Sequence, residues 1–144
     1  MSTEHWVVPL EYGQWIVYTS TLLIPPSFLH ALFCNHLILS FYCFTGFFTS
    51  VIYWKKPLYG FRRNADILCM ITALSTHLYS AWRTPAWKLY ISLVSIAASM
   101  YPISFYMQSK GFIRESMICH LVLHFFAFLS NNSLYYYTCP KEYF

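Results

Sequence analysis

Four side chains have the types and spacing that chemistry requires: Ser50, Asp66, His120 and His124. His120 and His124 stand at i and i+4, so a helix presents both imidazoles on one face, a spacing that can chelate one metal ion. Asp66 could complete a ligand set or serve as general base for a metal-bound water, and Ser50 could bond that water or a substrate carbonyl. The same residues have simpler structural readings. Histidines inside helical bundles often bond a neighbouring helix. Asp66 follows Arg62 and Arg63 near the start of its helix, where the dipole and ion pairing favour a carboxylate. An ionisable residue within an apolar span still raises the case for function.

Composition defines the solvent in which these residues work. Of 144 residues, 58% are hydrophobic and only 10% charged, with a mean hydropathy of +0.45. That is far from a soluble domain and implies an all-α, multi-pass integral membrane protein with one domain over residues 1–144. Aromatic residues at 22% suit interfacial belts. The net charge of +4 does not argue for nucleic acid, because the basic residues flank apolar runs and act as topology signals.

The run from Ser27 to Trp54 contains no Asp, Glu, Lys or Arg and predicts the first span. Further spans are predicted over about 65–82, 89–107 and 116–135, the third kinked at Pro102. This makes a four-helix transmembrane bundle. Tyr12 to Ile24 is uncharged but short, and Pro25-Pro26 follows it. It reads as an interfacial or re-entrant helix over about 12–24, with Trp6, Trp15 and Tyr18 at headgroup depth. The N-terminus carries Glu4, His5 and Glu11 without Lys or Arg, unlike a cleavable signal peptide. Lys55, Lys56, Arg62, Arg63, Lys110 and Arg114 lie in two loops, against Arg83, Lys88 and Lys141 elsewhere. The positive-inside rule therefore expects those two loops in the cytoplasm and both termini outside or lumenal. Asn131-Asn132-Ser133 matches a glycosylation acceptor but sits too near the membrane for use.

Five cysteines form no CxxC or paired pattern, and four fall within spans as small apolar residues. Cys139 alone stands where reactivity is expected.

Each span carries a polar seam, expected to face the other helices. The seams are His36, Ser40, Cys43, Phe47, Ser50 and Trp54; Asp66, Met70, Ala73, His77 and Ser80; Ser92, Ser95, Ser99, Pro102 and Tyr106; and Ser116, His120, His124, Ala127 and Asn131. Helical rise sorts them by depth. Ser50, Asp66, His120 and His124 fall toward the basic side, His36 is expected level with His124, and His30 with His77 toward the other side.

Ser50, then Asp66 after a basic turn, then His120-x-x-x-His124 in the last helix, resembles the CREST superfamily of membrane hydrolases, which includes alkaline ceramidases and adiponectin-receptor-like proteins. The resemblance implies a zinc ion near one membrane face held among a serine, an aspartate and three histidines. Ser50, Asp66, His120 and His124 match in type and order. The third histidine does not: Trp54 stands about four residues after the serine, and the chain is shorter than the family's roughly seven spans.

The leading functional expectation is a non-enzymatic accessory or scaffold subunit of a membrane assembly, with the bilayer and other membrane proteins as partners and no cofactor. The alternative is a CREST-like zinc-dependent lipid amide hydrolase, with Ser50 and Asp66 catalytic and His120 and His124 on zinc. A third is a b-type haem carrier using His30 or His36 with His77. Transport along the Ser/Thr seams is a further reading.

Overall fold

The computed structural model describes residues 7–140. The expected placement of Trp6 at headgroup depth, the acidic Glu4 and the basic Lys141 lie outside that range. Five helices follow one another: α1 (Leu10–Phe33), α2 (Leu37–Trp54), α3 (Phe61–Trp82), α4 (Trp87–Ser109) and α5 (Ile113–Thr138). Four of them, α1, α2, α4 and α5, are long and apolar enough to cross a membrane. The outward faces are greasy, with Leu22, Phe41, Phe44, Phe48, Leu68 and Phe105 all exposed. That is the reverse of a water-soluble surface.

Two expectations about the first span need correction. The run from Ser27 to Trp54 is not one helix, and residues 12–24 are not a separate short one. α1 continues through Pro25 and Pro26 to Phe33, and the chain turns at Cys34-Asn35-His36. Proline removes a backbone donor, but adjacent helices can compensate inside a bundle. The turn has its own cause. Asn35 adopts φ 59°, its amide bonds the Leu32 carbonyl at 3.0 Å, and the His36 amide bonds the Ala31 carbonyl at 2.8 Å. This pair of bonds ends a helix in a left-handed residue, a place that asparagine tolerates. Gly111 does the same after α4, at φ 82° with the Phe112 amide on the Met107 carbonyl at 3.0 Å.

The extra helix moves one end of the chain. Val7 donates its amide to the Pro57 carbonyl at 2.8 Å, which fixes the start of the described chain beside the basic α2–α3 loop. At the opposite end of the bundle a disulfide joins Cys34 to Cys139, 105 residues apart. The two ends of the described chain therefore lie at opposite ends of the bundle, not on one side as expected. The cysteines also depart from expectation, since Cys34 and Cys139 are paired while Cys43, Cys69 and Cys119 are free.

The polar seams face inward on three helices. Ser40, Cys43, Ser50 and Trp54 are buried on α2, Asp66 and His77 on α3, and Ser116 on α5. On α4 the expected seam is reversed. Ser92, Ser95, Ser99, Pro102 and Tyr106 are exposed, and α4 packs through Tyr90, Val94, Ala97 and Ser104 instead. Tyr90 and Val94 fill the space beside Leu134 and Tyr135 of α5. Tyr90, Val94, Leu134 and Tyr135 share a core with Ala31, Leu39, Cys43 and Ala81.

Candidate functional site

α1, α2, α3 and α5 bring the four candidate residues to neighbouring levels near the basic end, but into two separate contacts. Adjacent positions on α2 reach in different directions. Thr49 donates its hydroxyl to Asp66 Oδ1 on α3 at 3.0 Å, while Ser50 Oγ meets Ser20 Oγ on α1 at 3.1 Å. Ser20 Oγ also stands 3.4 Å from His124 Nδ1 on α5, and Thr19 Oγ1 stands 3.5 Å from the same nitrogen. Ser20–Ser50–His124 thus ties α1, α2 and α5 together, and Thr49–Asp66 ties α2 to α3. Ser104 donates to the Ser116 carbonyl at 2.9 Å and joins α4 to α5. Sequence reasoning missed Ser20 and Thr49, which make these links. Ser20 lies in the segment read as interfacial, and Thr49 lies one residue off the α2 seam.

His120 completes the picture through ring contacts. It packs edge-on against Trp54 with centroids 4.8 Å apart, and its centroid lies 5.0 Å from that of His124. Asp66, Trp54 and His120 line one cavity of about 80 Å³, whereas Ser50 and His124 do not. Where the resemblance called for a third histidine, the indole of Trp54 therefore sits against His120. Indole offers no lone pair to a metal. Among the described residues no three His, Cys, Asp or Glu side chains stand together as a ligand set. The residues present do not fit the three-histidine zinc site implied by the resemblance.

At the disulfide end a second polar group surrounds Tyr135. His77 Nε2 lies 2.6 Å from the Tyr135 hydroxyl and His77 Nδ1 lies 2.8 Å from the Ala73 carbonyl. The carbonyl can only accept, so Nδ1 carries the proton and Tyr135 donates to Nε2. The Cys43 thiol, 3.3 Å away, is then placed to donate to the tyrosine oxygen. The rings of His30 and His36 flank Tyr135 at 5.6 and 6.0 Å. His30 Nδ1 meets Asn132 Oδ1 at 2.8 Å and His36 Nε2 meets Thr138 Oγ1 at 2.7 Å. Burial, with His30 nearby, holds His36 below the ordinary imidazole value.

This arrangement meets the expected His30 and His77 level and corrects another. His36 sits in the α1–α2 turn at the disulfide end, so it does not share a level with His124. Both ring nitrogens of His77 are engaged by the fold, which opposes its use as a haem ligand.

No family model, curated protein or solved structure matches the chain. The resemblance to CREST hydrolases rests on Ser50, Asp66, His120 and His124 alone. Their geometry is that of cross-links between helices. Among the described residues, no buried side-chain nitrogen or oxygen lacks a hydrogen-bond partner.

Proposed function

We propose that the chain is a non-enzymatic subunit of a membrane assembly, held to its partner through the outer face of α4. The observation that carries this reading is the reversed seam. Ser92, Ser95 and Ser99 line the exposed side of α4 with Pro102 and Tyr106. Small residues four apart let two helix backbones approach closely, which is how helices associate where lipid removes the hydrophobic driving force. Such a stripe gives little to acyl chains and much to another transmembrane helix. The engagement of Asp66, Ser50 and His124 in helix cross-links supports the same reading over the hydrolase, as does Trp54 in place of a metal-binding imidazole.

All five helices then cross the bilayer, α3 carried by its neighbours. Lys55, Lys56, Arg62, Arg63, Lys110 and Arg114 face the cytoplasm, and the Cys34–Cys139 end faces an oxidising compartment. Charge bias and disulfide chemistry support the same orientation independently.

Crosslinking in native membranes, followed by gentle-detergent extraction, tests the subunit reading. The wild-type chain should migrate with a partner. A Ser95→Phe/Ser99→Phe variant should lose it while still forming the disulfide. A wild-type chain that is monomeric in the membrane, or a variant that keeps the partner, overturns it.

A further inference from the structure

The α3–α4 hairpin opens toward the basic end of the bundle. Its arms meet beside their turn, where Trp82 packs on Trp87 with centroids 4.5 Å apart. Farther along, the partly open cavity of about 80 Å³ that Trp54 and His120 also line reaches between the arms, where Arg63, Asp66 and Ile67 from α3 and Tyr101, Phe105 and Gln108 from α4 contribute to its wall. Polarity along this cleft is graded. Arg63 is in the first turn of α3 and Gln108 in the last turn of α4, so both lie at the bundle's edge. Ile67 lies roughly 6 Å deeper than Arg63 by helical rise, with Phe105 across from it on α4. The Arg63 guanidinium is set over the Tyr59 ring, 5.3 Å from its centroid, at the same mouth. Exposed Lys55, Arg62, Lys110 and Arg114 outnumber Glu11 and Glu115 at this end and leave it cationic.

On the α3–α4 side a charged mouth stands above an apolar pair, Ile67 and Phe105, while Ser104, Ser116 and His120 line the cavity toward α5. The mouth-to-pair order is that of an amphiphile, and the mouth's sign selects an anion. We propose that the α3–α4 cleft binds one anionic phospholipid from the leaflet at the basic end, its net-negative headgroup at Arg63 and an acyl chain between Ile67 and Phe105. The carboxylate in the cavity does not oppose this. Asp66 is nearly a turn deeper than Arg63, and its Oδ1 accepts the Thr49 hydroxyl, so the headgroup meets the guanidinium first. Arginine suits the role because its planar fork matches phosphate oxygens. The proposal goes beyond the subunit reading, since a lipid in this cleft neither needs nor excludes a helix on the serine stripe.

The test titrates the full purified chain in mild detergent with phosphatidylserine or phosphatidylcholine and counts bound lipids by native mass spectrometry. One phosphatidylserine per chain should be retained in preference to phosphatidylcholine. Arg63→Gln should weaken it roughly fivefold or more, the factor worth one basic group at an anionic surface. Arg114→Gln, at the same end but away from the cavity, should leave it unchanged. Ile67→Trp, which fills the chain seat and keeps every charge, should also weaken retention, and glycerophosphoserine should compete poorly. Equal retention of the two lipids, or equal losses in Arg63→Gln and Arg114→Gln, overturns the site in favour of diffuse charge. Retention unaffected by Ile67→Trp, or competition by the free headgroup as strong as by the lipid, overturns the acyl-chain seat.

Discussion

Replacing Tyr135 with phenylalanine should destabilise the bundle by about 1–1.5 kcal/mol without changing its shape. Tyr135 is fully buried, and its hydroxyl donates to His77 Nε2 at 2.6 Å while standing 3.3 Å from the Cys43 thiol. Phenylalanine keeps the ring, so the packing against His30 and His36 survives. It removes one donor and one acceptor. His77 is 2% exposed, and its Nε2 would then be left without a partner. In a soluble core that orphan costs about 1–3 kcal/mol. Between membrane helices the average is nearer 0.6 kcal/mol and the maximum about 1.7, because an unfolded chain in lipid also finds partners. Burial of both partners places this pair in the upper part of the membrane range. Reversible unfolding in mixed micelles measures it, and a His77→Leu/Tyr135→Phe double variant checks the cause, since it removes the orphan with its donor. The double variant should be less destabilised than the sum of the two single changes. A Tyr135→Phe protein within about 0.3 kcal/mol of wild type, the limit of additivity for unconnected sites, would refute the reasoning.

Gly13→Ala should loosen the contact of α1 with the end of α2. Its new Cβ would lie 2.7 Å from the Trp54 carbonyl oxygen and 3.2 Å from Pro57 Cγ, and overpacking of this kind costs about 1–3 kcal/mol in the same unfolding assay. Asn132→Leu should cost about 1–2 kcal/mol, because it takes away the 2.8 Å partner of His30 Nδ1 and the amide that donates to Ser27 Oγ at 2.8 Å.

Charged residues made the last three helices legible. Arg62–Arg63, Arg83–Lys88 and Lys110–Arg114 bracket runs with few charges, and α3, α4 and α5 begin and end within a few residues of the expected helices, although α3, expected as a span, is not among the four helices apolar enough to cross a membrane. The first half had no such brackets. Between Tyr12 and Trp54 there is no charge, so Pro25-Pro26 was the strongest local mark, and it misleads here because α1 continues through both prolines, as helices packed in a bundle can. The true signal was Asn35 at a helix end, a residue type that also occurs where nothing turns. Missing that turn misplaced Ser20, hid the contact between Cys34 and Cys139, and left unseen that the two ends of the described chain lie at opposite ends of the bundle.

The candidate site was legible in depth but not in direction. Rise along a helix placed Ser50, Asp66, His120 and His124 near one level. Which way each side chain points depends on helix rotation, and that follows from packing of the whole interior. On α4, Tyr90, Val94, Ala97 and Ser104 took the interior while Ser92, Ser95 and Ser99 turned outward. Residues that looked like one reaction centre became separate cross-links, and residues that looked like a seam became an outer face.

The arrangement of five helices, with the α1–α2 turn brought against the end of α5, is tested most directly by mapping cysteines in protein extracted from its membrane without reductant. A peptide joining Cys34 to Cys139, with Cys43, Cys69 and Cys119 each recovered as free thiols, is the predicted result. Recovery of Cys34 and Cys139 as free thiols from an oxidising compartment, or of either bonded to another cysteine of the chain, would contradict the fold and the opposed chain ends that follow from it.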